Sequence, residues 1–80
     1  MGMKYVAVST MTESGDSDVF CVDFYDSGDV VESIKDMMDE DFAYVSEFKV
    51  HCSWGIEIED DILVALKQAR NDERELLENE

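Results

Sequence analysis

The chain has no proline, four glycines, two cysteines, one histidine and only six basic residues in 80 positions. Each shortage excludes something. Without proline, or any glycine- or serine-rich run, no linker divides the sequence, and residues 1–80 read as one small acidic domain. Two cysteines and no secretory signal are too few for a disulfide framework, so Cys21 and Cys52 read as thiols in a cytoplasmic protein. Met1-Gly2 stands before a second methionine and reads as an addition ahead of a start at Met3. No run approaches the roughly 18 apolar residues of a membrane-spanning helix.

Scarcity of basic residues bears on partners. Phosphate recognition needs clustered Lys and Arg, and six scattered cations do not supply them, so direct binding to nucleic acid or to an anionic membrane is disfavoured. Tyr5 and Tyr25 read as a cross-strand pair or as part of a protein interface, not as a platform for stacked bases. One histidine, no glycine-rich phosphate loop and little room for a dry pocket argue against an enzyme. No cofactor is implied.

His51, Cys52, Cys21 and Asp23 are all residue types that bind metals. Sequential His51 and Cys52 point to opposite faces of a strand. Cys21 and His51 share a face but fall on outer strands roughly 10 Å apart, at about 4.8 Å per strand. Asp16-Ser17-Asp18 and the series Asp23, Asp26, Asp29 do not match a calcium loop with acids at its first, third and fifth positions and glutamate at its twelfth. No metal site is expected.

What the chain does have is acid. Twenty-one Asp and Glu give a net charge of −15 and a pI near 4.1. A small domain needs a net charge of magnitude only about 2 to 8 for solubility. A hydrophobic content of 45% with eight aromatics still argues for a folded chain.

The stretch Asp26–Asp41 organises the reading. Val30, Ile34, Met37 and Met38 have the spacing of a core-facing helical stripe, and Asp29, Glu32, Asp36 and Glu40 occupy another face. Asp29 is the expected N-cap, with Glu32 completing a variant capping box. Three acids at 39–41 oppose the dipole at the helix C-terminus, so a frayed end is expected.

Before this helix, Met3–Thr10 reads as a strand, Met11–Asp18 as an exposed hairpin loop, and Val19–Tyr25 as a second strand with Phe20, Val22 and Phe24 facing the core. After it, Phe42–Trp54 alternates for long enough to be a third strand, with Phe42, Tyr44, Phe48, Val50, Cys52 and Trp54 on the core face. Gly55 suggests a bulge that lets the strand continue through Ile56-Glu57-Ile58, or a turn into a short fourth strand. Acids at Glu59-Asp60-Asp61 open a second helix with the stripe Ile62, Leu63, Leu66 and Ala69. Residues 69–80, with Leu76 and Leu77, are expected to project as a helical tail.

The order β-β-α-β-α predicts an α+β, two-layer fold: a three-stranded antiparallel sheet in order 2-1-3 with both helices on one face. The other sheet face would stay uncovered, bearing Tyr5, Ala7, Cys21, Asp23, Tyr25, Val45, Glu47 and Lys49.

Function follows from the charge. The expected partner is a basic protein that handles nucleic acid, bound through Asp29, Glu32, Asp36, Asp39, Glu40, Glu57, Glu59, Asp60 and Asp61 acting as a phosphate mimic. In size and charge the chain resembles phage-encoded inhibitors of restriction and CRISPR enzymes, a likeness of class that rests on no shared motif. The rival reading is a structural or adaptor module, homodimeric, that uses the open sheet face or the C-terminal helix.

Overall fold

The computed structural model describes residues 5–23, 27–52 and 56–79. Strands β1 (Tyr5–Thr12), β2 (Ser17–Asp23) and β3 (Val45–Cys52) form one antiparallel sheet in the order β2-β1-β3. Helices α1 (Ser27–Met38) and α2 (Ile56–Glu78) complete a β-β-α-β-α, α+β fold. Order and class are those expected from the sequence.

Val6 and Val8 on β1 are fully buried, with Thr10 nearly so, and Val22, Phe48 and Val50 extend the same sheet face. Val30, Ile34 and Met38 of α1 and Ile62 and Leu66 of α2 cover that face. Each such side chain removed from water contributes about 1.5–3 kcal/mol, the main favourable term in a domain this small. Leu63 and Ala69 pack partly against the cluster, as their spacing predicts.

Several boundaries differ from expectation. The hairpin loop is only Glu13–Asp16, because Thr12 N–H donates to Asp16 O at 2.9 Å and Gly15 N–H to Thr12 O at 3.0 Å. Gly15 supplies the positive φ of 94° that this tight closure requires. The β-branched Thr12 is buried and carries the strand two residues past Thr10, where polarity suggested a loop.

Helix α1 begins at Ser27, so Asp29 lies in its first turn instead of capping it, a position the helix dipole also favours. Met37, expected in the core stripe, is exposed; at 100° per residue it falls beside the stripe, and Val31 packs on the other flank.

The largest correction concerns residues 39–44. Asp39 adopts a left-handed φ of 53°, ending α1, and Asp39–Tyr44 form a 3₁₀ turn whose first residues are Asp39, Glu40 and Asp41. The three acids therefore sit at a new helical N-terminus, where the dipole favours them. Phe42 and Tyr44 belong to this turn and not to a strand. Val45, expected on the open face, is fully buried, because the β1/β3 register shifts between Met11 and Thr12. Phe42, Val45 and Phe48, three apart, all reach the core, with the Phe42 and Phe48 rings 5.7 Å apart.

Ile56-Glu57-Ile58 is neither a strand extension nor a fourth strand; it is the first turn of α2. The expectations for Phe24, Tyr25, Asp26, Trp54 and the Gly55 bulge fall outside the described residues.

Candidate protein-binding surface

Antiparallel pairing gives the molecule two ends. Asp23 and Cys52, opposite Tyr5 and Val6, mark one; Thr12, Val45 and the hairpin mark the other. Both helices start at the first end and run to the second, where Lys35 Nζ meets Glu73 Oε1 at 2.9 Å. At 1.5 Å per residue the 23 residues of α2 span about 34 Å, more than the roughly 27 Å of an eight-residue strand.

This layout separates the acids picked from the sequence. Asp29, Glu32 and Asp36 are exposed on α1 opposite Val30, Ile34 and Met38, about 4.5 and 6 Å apart along the axis. Glu57, Asp60 and Asp61 are exposed at the start of α2, at the end where α1 begins. Asp39 and Glu40 are exposed at the opposite end, in the 3₁₀ turn. Glu59 differs from the rest: it is half-buried, and its Oε1 accepts the Cys52 N–H at 2.8 Å, tying the start of α2 to the end of β3. The nine carboxylates form a band along α1 with a group at each end, not one patch.

The hairpin end also holds residues that sequence reasoning did not single out. Arg74 Nε donates to Ala43 O at 2.6 Å, and one of its terminal nitrogens donates to Glu13 Oε1 at 2.9 Å and Val45 O at 3.2 Å. Arg70 donates to Val45 O at 3.1 Å, with its guanidinium 5.8 Å from the centre of the Phe48 ring. Glu13 N–H donates to Tyr44 O at 3.0 Å. Two arginines four apart on α2 thus satisfy carbonyls that the 3₁₀ turn leaves open. Their spacing was visible; the carbonyls they serve were not.

Burial lowers the Arg70 pKa, with the neighbouring Arg74 acting in the same direction and Glu13 against it. The Lys35 ammonium is raised above its ordinary value, first by its hydrogen bond to Glu73 against some desolvation, then by the charges of Glu73, Glu32 and Asp36.

Tyr44 and Leu77 are half-exposed at this end and line two adjoining hollows. One, of about 350 Å³, is completed by Asp39, Glu40, Ala43 and Glu73. The other, of about 320 Å³, is completed by Glu13, Arg74 and Glu78. Leu77 prolongs the α2 face that carries Ile62 and Leu66, beyond the sheet that covers those two.

The uncovered sheet face carries Ala7 between Cys21 and His51, then Ser9 between Val19 and Lys49. Ala7 keeps the thiol and the imidazole two strand spacings apart, and Cys52 lies on the opposite face. Among the described residues no group of three or more His, Cys, Asp or Glu converges on a point, and no helix is long and apolar enough to cross a membrane. Comparisons with protein-family models, with curated proteins and with solved structures find no match to this chain.

Proposed function

We propose that the protein is an acidic inhibitor or decoy that binds a basic, nucleic-acid-handling protein in the cytoplasm by offering carboxylates in place of phosphates. The observation that carries this reading is the outer face of α1, where Asp29, Glu32 and Asp36 stand exposed on a rigid helix within a chain of net charge −15. The three span about 10.5 Å along the helix axis, over which one DNA strand, rising about 3.4 Å of duplex axis per step, carries about four phosphates to these three carboxylates. A groove of Lys and Arg built for phosphates meets a comparable row of charge here. The test is to measure binding of the Asp29→Asn, Glu32→Gln, Asp36→Asn variant to candidate nucleases. A clear loss of affinity with the fold intact supports the mimic; unchanged affinity removes α1 from the interface.

A second reading is favoured by one observation: Val19, 67% exposed, and Met11, 44% exposed, are diagonal neighbours across β1 and β2 on the uncovered sheet face and leave an apolar pair in water. An adaptor that pairs with itself through this face accounts for them. Sedimentation over a concentration series separates the two readings, because a strict monomer at high concentration eliminates self-pairing.

A further inference from the structure

We propose that the two hollows around Tyr44 and Leu77 are the docking site for a basic protein segment with a short apolar centre, the anchor point of the partner's grip. The inference rests on the acidic-binder reading and names where, and by what chemistry, that partner is held. Tyr44 is 50% and Leu77 47% exposed, and the hollows they share are large enough for one or two aliphatic side chains. Around them stand five carboxylates, Asp39, Glu40, Glu73, Glu13 and Glu78; Glu13 pairs with Arg74 and Glu73 with Lys35, so the rim keeps a net of three negative charges, with Asp39, Glu40 and Glu78 outside those two ion pairs. The Arg74 guanidinium is turned inward, donating to Glu13 and to the carbonyls of Ala43 and Val45.

The rim therefore selects the occupant. A second copy of the chain would bring another −15 to an acidic rim, and nucleic acid would bring phosphates; both are repelled. A segment of lysines and arginines around an apolar centre is attracted by the rim and buries Tyr44 and Leu77. Apolar burial does not fade with salt as ion pairing does, so this site contributes a salt-resistant part of the affinity that the α1 carboxylates do not.

The probe is a short peptide of lysines and arginines around a central leucine pair, compared with the same peptide carrying serines at its centre. Both are titrated into the isotope-labelled full chain at low and high salt and followed by amide chemical shifts. The leucine peptide is expected to shift Ala43, Tyr44, Glu73 and Leu77. The serine peptide, and the leucine peptide on Leu77→Ser protein, should bind at least about tenfold more weakly, the worth of one leucine leaving water. Leu77 is exposed enough for Leu77→Ser to fold, and circular dichroism checks that it does.

Equal affinity for both peptides, with salt abolishing both, overturns the docking site and leaves the charge-mimic reading standing. Shifts centred on Met11 and Val19 also overturn it. If neither peptide binds at low salt, the docking site and the attraction to basic segments fail together.

Discussion

At position 74 one guanidinium serves three acceptors: the Ala43 and Val45 carbonyls and the Glu13 carboxylate. Replacing it takes the side-chain donor from the partly buried Ala43 carbonyl and leaves the Val45 carbonyl with Arg70 alone. Arg74→Ala is expected to destabilise the fold by about 1–3 kcal/mol in urea unfolding, mostly from the carbonyls, since an exposed ion pair such as Arg74–Glu13 is worth about 0–1 kcal/mol. Arg74→Lys should recover only part, because an ammonium cannot match the planar fork. The Lys35–Glu73 pair makes the opposite case. Both side chains are about one-third exposed, so the pair adds little. Because the Lys35 pKa is raised on folding, its contribution is fully present below the unfolded value of 10.5 and is lost as pH climbs through the higher folded value. Lys35→Met should differ from the parent by under about 1 kcal/mol at neutral pH, and that gap should close only in strongly alkaline urea titrations.

Among the elements, the 3₁₀ turn Asp39–Tyr44 depends most on a single dihedral. Asp39 at φ 53° holds a conformation that costs an ordinary L-residue about 1–2 kcal/mol and glycine nothing. Asp39→Ala should lower the thermal midpoint, while Asp39→Gly should leave it level or raise it; equal behaviour of the two would show that the left-handed conformation carries no strain. This turn is also where the sequence misleads. F-A-Y-V alternates as a strand does, yet Phe42, Val45 and Phe48 reach the core at a spacing of three. The acids at 39–41 were the available signal: misplaced at the end of α1, they are well placed at the start of another helical turn. Val45 could not be assigned to its face from alternation, because the shift between Met11 and Thr12 is a property of the pairing with β1. By contrast the stripes Val30/Ile34/Met38 and Ile62/Leu66 were legible, since helical periodicity alone places them. For the same reason the outward face of Asp29, Glu32 and Asp36 could be read in advance. The hollows at Tyr44 and Leu77 could not, because they join residues 33 positions apart whose meeting depends on the tertiary course of α2.

On the scale of the whole molecule, topology was readable because few arrangements satisfy short connections and a right-handed crossover, and the order 2-1-3 is one of them. The distribution of charge was not. The radius of gyration, 12.4 Å, slightly exceeds the roughly 11.6 Å expected of a compact 80-residue chain, and the principal extents are 46 × 22 × 20 Å. Along such a body the acids spread from the start of α2, over α1, to the 3₁₀ turn, a shape suited to lying along a groove. The measurement that tests this account most directly is the salt dependence of affinity for a basic, nucleic-acid-binding partner, taken for the parent and for the Asp29→Asn, Glu32→Gln, Asp36→Asn variant. The account predicts that log Kd of the parent rises steeply with log salt, and that the variant binds more weakly with a shallower slope. An affinity that does not change with salt, or slopes that coincide for the two proteins, would contradict it.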